Sequence, residues 1–372
     1  MPFRIFDRYL ARQIGMATLI GVGLLSGVMV LGNVYKKLDE LLGNTELPIS
    51  VVLEFVALVI PFSLIYTIPW AFLTGILLVF GRLSADNELV SLRMTGMSMP
   101  RICLPVFVMA VLLSGLCFYV NVDLAPAAKD RMKRLFYRVV ADNPETLFQE
   151  GQVLDKMPGY RIYTGKRDGT ELKDLHIMQI NGNATSYIRA KEATLYSKPG
   201  SLDFLLNLRE EHLEHFPGQP GGGIQAMHFG TKSLSFSLAK LQEDTVRINA
   251  SMKTTAALTD EVRTGKNCFT GVDLTPVEKS LSNTELNKRY SFSLASITFA
   301  LVGIPLGVTA QRRETSMGFV IGIATALAYM SFIILAEGLG EKPGAMPHLL
   351  MWVPNVLFLG VGAWMFRKLS RK

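Results

Sequence analysis

The sequence is poor in the side chains that build catalytic, metal and redox sites. Only 19% of its 372 residues are charged, and it holds five histidines and three cysteines. Cys103 and Cys117 share one apolar run and would lie about 21 Å apart on a helix that rises ~1.5 Å per residue, so we expect no disulfide between them. His212 and His215 lack the spacing of a zinc-protease motif and would point to opposite faces of a strand. We predict no metal site and no cofactor.

The chain also lacks a nucleotide-binding loop. Lys166 and Lys266 each follow a glycine, but neither is followed by Ser or Thr, and the earlier glycine of a Walker A motif is missing in both cases. The sequence therefore predicts a protein that does not hydrolyse ATP alone and is not an enzyme.

Long apolar runs are what the sequence has in abundance. Hydrophobic residues make up 49% of the chain, and the mean hydropathy is +0.29. A helix of ~20 residues crosses the ~30 Å hydrocarbon layer of a membrane. Six runs without any Asp, Glu, Lys, Arg or His reach this length, which predicts six transmembrane helices and argues against an ion-coupled carrier. The runs are Ile14–Val34, Phe55–Phe80, Ile102–Val122, Ser291–Ala310, Thr315–Ala336 and Leu349–Phe366.

The basic residues that flank these runs predict the orientation. Three lysines fall in the short loops on one side, namely Lys36, Lys37 and Lys342. Twelve basic residues fall on the side of the termini, namely Arg4, Arg8, Arg12, Arg82, Arg93, Arg101, Arg312, Arg313, Arg367, Lys368, Arg371 and Lys372. Because cytoplasmic flanks carry the excess of Lys and Arg, both termini are expected in the cytoplasm. The net charge of +7 is then explained by topology and not by nucleic-acid binding.

The segment between the third and fourth runs, residues 122–290, is long enough for a folded extramembrane domain. Hydrophobic residues alternate at period two in several stretches, such as Leu202, Phe204, Leu206 and Leu208, and turn-forming pairs separate those stretches. This pattern predicts an antiparallel β domain of sandwich or jelly-roll type, joined to the membrane by helical connectors. We therefore expect helices 1–3 in residues 1–121, the β domain in 122–290 and helices 4–6 in 291–372.

The loop from Gly81 to Pro100 is too long for a simple turn between two spans. Ser84 is suited to cap a helix at about residues 84–94, with Glu88 in its first turn and apolar residues on one side. Two interpretations remain open from spacing alone. The helix rests on lipid headgroups, or it docks into a groove of a soluble partner.

Four stretches of the sequence resemble one known family. They are FDRYLARQ at 6–13, LSADNELVSLRMTGMS at 83–98, ADNPETLFQEGQ at 141–152 and TELNKRYSFSLASITFALVGIPLG at 284–307. In order and layout they are similar to the lipopolysaccharide-export permeases of the YjgP/YjgQ type (LptF/LptG), with 141–152 leaning towards the F-type sister. The resemblance implies six membrane helices with an inserted periplasmic antiparallel β-jellyroll, in a bacterial inner membrane.

The resemblance also implies partners and a mechanism. The permease would pair with its sister as a heterodimer, bind a cytoplasmic ATPase dimer, and pass lipopolysaccharide from the outer leaflet to a periplasmic jellyroll protein. The ATPase contacts would come from Ser84, Asp86, Glu88, Leu89, Leu92 and Arg93. Because the family builds its cavity largely from the first and fifth spans, the two small-residue pairs Gly23 with Gly27 and Gly318 with Gly322 are candidates for the subunit seam, with packing inside the chain as the alternative.

Lys36 and Lys37 are predicted to hold the phosphates of the lipid headgroup, since an ammonium is a point charge for phosphate. Ordinary snorkelling of lysines at a helix end is the competing interpretation. Two other function classes remain as alternatives: an ABC-type mechanotransmission permease, which typically has four spans, and a membrane scaffold, which needs no amphipathic cytoplasmic loop.

Overall fold

The structure is a computed structural model that describes residues 5–42, 48–142, 147–157, 159–181, 184–197, 203–216, 225–237, 249–310 and 317–371. The chain forms two compact units. The helical unit comprises Met1–Asn33, Val56–Asp130 and Asn249–Lys372, and the β unit comprises Val34–Phe55 and Arg131–Ile248.

The described helices follow from the apolar runs of the sequence. Short 3₁₀ turns lie at Ala250–Met252 and Pro343–Ala345, and a π-helical turn at Val120–Leu124 continues α4 into α5. The α-helices are α1 (Ile5–Leu42), α2 (Ile49–Ala85), α3 (Glu88–Met94), α4 (Met99–Tyr119), α5 (Ala125–Asp142), α6 (Thr255–Thr264), α7 (Pro276–Ser293), α8 (Ala295–Ala310), α9 (Met317–Gly338), α10 (Pro347–Leu350) and α11 (Val353–Arg371).

Within the described residues, five helical stretches are long and apolar enough to cross a membrane, and a bent pair makes a sixth candidate. The five are Ile5–Tyr35, Ile49–Ala85, Met99–Val140, Val320–Gly338 and Pro347–Arg371. The sixth consists of α7 and α8, which meet at an angle of 43°. The fourth predicted run, Ser291–Ala310, therefore corresponds to the second half of a bent helix pair. The more polar α7, which begins at Pro276, forms the first half.

Asn355 of α11 stabilises the break between α7 and α8. Its Nδ2 donates to the carbonyl oxygen of Ser291 at 2.7 Å, and its Oδ1 accepts from Thr298 at 3.0 Å and from Tyr329 at 3.1 Å. A side chain that takes up a helix carbonyl interrupts the backbone ladder, so the helix bends there. One buried amide thus connects α7, α8, α9 and α11.

Close helix packing in the helical unit depends on glycine at the α2–α8 contact. A Cβ on Gly307 would lie 3.1 Å from Cβ of Phe80 and 3.3 Å from the Cα of Leu77. A Cβ at those distances would be tighter than most real contacts and would push α2 away by a few tenths of an ångström, so glycine favours this close approach. Phe72, Phe80 and other fully buried residues fill the space around this contact.

The β unit contains one antiparallel sheet in which consecutive strands pair, in the order β1 to β6. The strands are β1 (Val153–Met157), β2 (Tyr160–Asp168), β3 (Glu171–Asn181), β4 (Ala184–Ser197), β5 (Asp203–Phe216) and β6 (Gln225–Ser237). The predicted class, membrane helices with an inserted antiparallel β domain, is confirmed. The pairing of neighbours makes the connectivity a meander, as short hairpin turns allow.

The sheet folds over on itself around an apolar interior. The rings of Tyr160 on β2 and Phe236 on β6 are 5.1 Å apart, whereas a flat sheet would separate those strands by about 19 Å, at ~4.8 Å per strand step. Alternate residues of the strands fill the interior, as the period-two pattern predicts. They include Ile162, Leu172, Leu175, Ile177, Ile188, Ala190, Ala193, Leu195, Phe204, Leu206, Leu208 and Phe236.

A crease crosses the sheet where its strand pairing is interrupted. The Cα register skips one position on each of β2 to β6, and these aligned positions are Gly165, Asp174, Lys191, Glu210 and Gly230. Asp174 has a φ of +55°, and a Cβ on Gly165 would lie 2.9 Å from Cβ of Asp174, so glycine is required there. Leu172 and Leu175 are both buried although they are three residues apart, because the crease inserts one residue between them.

The predicted domain boundaries at 121 and 290 stay predictions, and the compact units of the structure have limits of their own. Residues 249–290 belong to the helical unit, because Arg289 and Ser282 of α7 bind the preceding segment. Residues 122–130 also belong to the helical unit.

Candidate functional sites: a docking loop and a buried ion cluster

The loop that is predicted to dock on a partner, residues 81–100, is called the docking loop below, and it begins with the last turn of α2. The hydroxyl of Ser84 donates to the carbonyl oxygen of Val308 on α8 at 3.0 Å, so Ser84 fastens α2 to α8. The expectation that Ser84 caps the short helix is wrong. Asn87 precedes α3 instead, in the left-handed conformation with a φ of +59°, which asparagine tolerates better than most residues.

Helix α3 has a buried side and an exposed side. Leu89 is 4% exposed and packs with Leu83 and Leu92 against α2 and α4. Val90 and Met94 point outward and are 53% and 83% exposed. Glycine ends the helix, since Gly96 has a φ of +86° and donates its N–H to the carbonyl of Arg93. The loop thus presents a short helix with an uncovered apolar edge.

Ion pairs and hydrogen bonds tie the start of α1 to the same end of the helical unit. Arg101 of α4 donates twice to the carboxylate of Asp7, at 3.0 and 2.7 Å, and Asp7 is buried. Arg82 donates to Oε1 of Gln13 at 2.5 Å. A bidentate arginine bond fixes both partners in orientation, so α1 and α4 are held together next to the loop.

The six residues predicted to contact an ATPase therefore differ in their surroundings. Ser84, Leu89 and Leu92 bond or pack within the chain. Asp86 is exposed, and Glu88 and Arg93 are half-buried. The structure thus separates the residues that hold α3 in place from those that face outward, and direct contact with a partner stays a prediction for all six.

The other predicted residues lie in the spans and loops beyond. Gly23 and Gly27 have open space around them on α1, whereas a Cβ on Gly322 would lie 2.9 Å from Leu77 of α2. Gly322 thus packs within the chain. Gly318 lies near the start of α9, and its surroundings lie outside the described part. Lys36 and Lys37 lie in α1, but their side chains are likewise outside it.

A buried ion cluster occupies the opposite end of the helical unit. Lys288 of α7 contacts Glu337 of α9 at 2.5 Å and Glu285 at 3.5 Å, and Glu285 also accepts from Arg289 at 3.3 Å. Glu285, Lys288, Arg289 and Lys129 of α5 line a cavity of about 90 Å³, together with Tyr66 of α2 and Phe292. Buried charges require partners, and here three cations face Glu285, which is 14% exposed, and Glu337, which is 43% exposed.

Arg289 organises the cluster and the segment before α7. Its side chain is 3% exposed. Its guanidinium donates to the hydroxyl of Thr255 at 2.9 Å and to the carbonyl oxygen of Lys253 at 3.0 Å, besides its bond to Glu285. The planar fork of arginine suits such a set of acceptors, which a lysine could not satisfy together.

A second buried ion pair lies outside the predicted spans. Lys253 donates to Glu261 at 2.6 Å, and the other carboxylate oxygen accepts from Ser282 at 2.8 Å. Burial raises the pKa of Glu261, but the hydrogen bonds from Lys253 and Ser282 outweigh it and hold the pKa below its usual value of 4.5. Two main effects raise the pKa of the Cys268 thiol to about 11. Partial desolvation is the larger, and the hydrogen bond to Glu261 is the second.

Sequence reasoning missed the ion cluster. It placed Glu285, Lys288 and Arg289 in a connector, because the apolar run was counted only from Ser291. The available signal was the spacing of acidic and basic residues three and four positions apart, directly before an apolar run. Glu337 at the end of another run was a second sign.

Comparison with known proteins gives a consistent result over nearly the whole chain. The family described as "Lipopolysaccharide export system permease LptF/LptG" matches residues 8–368. The chain is 22% identical over 370 residues to "Lipopolysaccharide export system permease protein LptF" of Escherichia coli (strain K12). The alignment covers 96% of this chain and 93% of that protein. Proteins of the same name from Escherichia coli O157:H7 and Shigella flexneri match equally well. This chain therefore belongs to the LptF/LptG family of lipopolysaccharide-export permeases.

Proposed function

We propose that the chain is the F-type permease of a heterodimeric ABC exporter in the bacterial inner membrane. It extracts lipopolysaccharide from the outer leaflet and passes it to a periplasmic jellyroll protein, and ATP hydrolysis in a cytoplasmic ATPase dimer drives the transfer. The F-type assignment is supported by the relatives, all of which are named LptF. An external energy source is needed because exposing acyl chains to water costs ~0.8 kcal/mol per methylene.

The single observation that carries this proposal is the two-sided geometry of α3. Leu89 anchors the helix to the bundle, while Val90 and Met94 leave an apolar edge uncovered. Asp86, two residues before α3, is exposed as well. An amphipathic helix with a free edge fits a groove on a folded partner. Because Ser84 connects the loop to α8, a push on α3 would reach the spans directly.

Replacement of Glu88 by Lys tests the docking role. A charge reversal at the start of α3 changes helix stability by only about 0.3–1 kcal/mol through the helix dipole, so folding should survive. On the proposed function, Glu88→Lys removes most of the ATPase that co-purifies with the permease from mild detergent, and it slows lipopolysaccharide export.

Glu341→Lys is the matched control, because Glu341 is an exposed carboxylate outside the docking loop. It should leave ATPase co-purification and export unchanged. Full co-purification and normal export in Glu88→Lys would contradict docking through this helix. Absence of any ATPase subunit from the wild-type complex would favour the scaffold alternative.

The β unit supports a role in lipid transfer. Its folded sheet encloses the aromatic and aliphatic side chains of one face, including Phe204 and Phe236, whose rings stack at 5.2 Å. On the proposed function, these apolar side chains shield the acyl chains on their way to a partner of similar architecture. A mechanotransmission permease remains the alternative function, and the three spans before the β unit argue against it.

The proposed orientation has both termini in the cytoplasm and the β unit in the periplasm. It rests on the basic residues of the flanks, including Arg82 and Arg101 beside the docking loop. Cysteines at Thr170 and Ser98, in a chain without Cys268, test it by labelling of intact spheroplasts. Labelling at Ser98 but not at Thr170 would invert the topology and remove the export function.

The subunit seam is proposed to include α1 at Gly23 and Gly27. The residues around them on α1, such as Leu24 and Val28, are 69% exposed in the single chain. A cysteine at Gly27 should therefore cross-link to the sister permease, and a failure to do so in the assembled complex would place the seam elsewhere.

Lys36 and Lys37 are proposed to hold the lipid headgroup at the outer end of α1. Each basic residue near an anionic surface contributes ~1 kcal/mol, so replacement of both by Glu should weaken lipid capture more than replacement by Ala. Photo-crosslinking to lipopolysaccharide measures the capture, and co-purification of the sister subunit controls for assembly. Equal crosslinking in the wild type and the Glu variant would leave the two lysines as interface anchors.

A further inference from the structure

A row of polar and aromatic side chains crosses the outer face of the sheet. The strand register aligns Tyr163 with His176, His176 with Arg189, Arg189 with His212 and His212 with His228. The neighbouring positions Ile188 and Ala190 are buried, so this row faces away from the apolar interior. The sheet thus brings together histidines that are far apart in the chain.

The last two members of the row, His212 and His228, form a close pair on β5 and β6. Their Nδ1 atoms are 2.6 Å apart, and their rings meet at 81° with centroids 4.5 Å apart. Both side chains are exposed. Two neutral imidazoles can converge on one point only if one of them donates its N–H to the other, or if both direct lone pairs at a cation.

We propose that His212 and His228 form a binding site for a divalent transition-metal ion, with Cu²⁺ preferred and Ni²⁺ next. Imidazole nitrogens bind such metals at ~2.0–2.1 Å, which places two neighbouring ligands about 2.9 Å apart at a right angle and about 3.3 Å apart at a tetrahedral angle. The observed 2.6 Å is shorter than both values, so the two rings move apart by a few tenths of an ångström when a metal enters. The preference for Cu²⁺ rests on the affinity order of divalent metals for imidazole ligands.

Water would complete the coordination of this site. Among the described residues, no three His, Cys, Asp or Glu side chains come together to hold a metal. Arg189, which precedes His212 in the row, bonds to Asp174 at 3.4 Å, so its guanidinium is directed towards β3. A site with two histidine ligands and water in the other coordination positions binds its metal reversibly. The metal would add a side-chain link between β5 and β6, which already pair through their backbones.

The sequence pointed away from this site for a physical reason. A search for ligand spacing along the chain pairs His212 with His215 on the same strand. The alternation of side chains along a strand places these two residues on opposite faces. The actual partner, His228, is sixteen positions away and becomes adjacent only through the pairing of β5 with β6. The prediction of no metal site thus rested on sequence spacing, which does not include cross-strand contacts.

Metal titration of the whole permease tests the proposal. The protein is purified in detergent with its affinity tag removed, and Cu²⁺ binding is followed by equilibrium dialysis and by electron paramagnetic resonance, which detects coordinated nitrogen. We expect one Cu²⁺ per chain with two nitrogen ligands. His212→Ala and His228→Ala should each lower the affinity by at least about tenfold, as expected when one of two protein ligands is lost.

His348→Ala is the matched control, since His348 lies on α10 in the helical unit, and it should bind Cu²⁺ as the wild type does. Mg²⁺, which prefers oxygen ligands, should not compete. Thermal denaturation without metal checks folding, and the two exposed positions should tolerate alanine. Unchanged Cu²⁺ affinity in His228→Ala, equal loss in His348→Ala, or a spectrum without nitrogen coupling would each overturn the site.

Discussion

The two ends of the helical unit are held together by different forces. At the docking loop, α3 itself is held by buried apolar side chains such as Leu83 and Leu89, and the Asp7–Arg101 ion pair joins α1 to α4 rather than to α3. At the ion cluster, Glu285, Lys288 and Arg289 are enclosed together. The first kind of contact is non-directional and tolerates small movements. The second kind is geometrically strict, because each buried charge depends on its partner.

This difference suggests a division of labour within one unit. If the loop docks and transmits motion as proposed, it benefits from an apolar anchor that can shift without a large penalty. The charged end has to stay fixed, since any displacement would separate buried ions. Substitutions at the two ends should therefore differ in cost and in the condition that reveals the cost.

The largest effect is expected from Arg289→Ala. The change removes one of the two cations that contact Glu285 and leaves four acceptors of the preceding segment without their donor, and breaking a buried pair costs about 3–5 kcal/mol. The thermal midpoint of the purified permease in detergent should fall by several degrees or more. Arg289→Lys should recover only part of the loss, because lysine lacks the fork.

Lys342→Ala is the control for that experiment, since Lys342 is an exposed cation in a loop of the same unit. It should leave the midpoint unchanged. If Arg289→Ala melted like the control, the charged end would not be the rigid one, and the comparison would fail.

A smaller effect is expected at the docking loop, where two apolar residues of α3 form a matched pair. Leu89→Ala removes a buried side chain and should cost about 2–4 kcal/mol, whereas Met94→Ala trims an exposed one and should cost well under 1 kcal/mol. Denaturation midpoints measure the difference. ATPase co-purification should show the reverse, with Met94→Ala losing partner at little cost in stability.

The smallest effect is a pH dependence at Glu261. Because the folded-state pKa lies below 4.5, the ionised carboxylate stabilises the fold above that pH and loses its contribution as the pH falls. Glu261→Gln, which mimics the protonated form, should be less stable than the wild type at pH 7. The gap between their midpoints should narrow below about pH 4.5. A gap that stayed constant between pH 7 and pH 4 would mean that the Lys253 pair contributes nothing.

Much of the fold could be predicted because its signals are local. Runs of apolar residues gave the spans, and alternation gave strands such as Asp203–Phe216, since burial in a membrane or on one sheet face requires those patterns. The start of α3 was misplaced by four residues. Ser84 has the chemistry of a cap, but its hydroxyl is used by Val308, which is 224 positions away.

The candidate sites were less predictable because they depend on contacts across the chain. The sequence by itself determined the membrane class, the number of apolar runs, the inserted β domain and the amphipathic loop, since each follows from the periodicity of neighbouring residues. Only the tertiary structure decided that Lys288 meets Glu337, that His212 meets His228, and that Gly322 packs on Leu77. Such pairs form because distant segments bury their surfaces together, and no local pattern encodes which side chains that burial brings within a few ångströms.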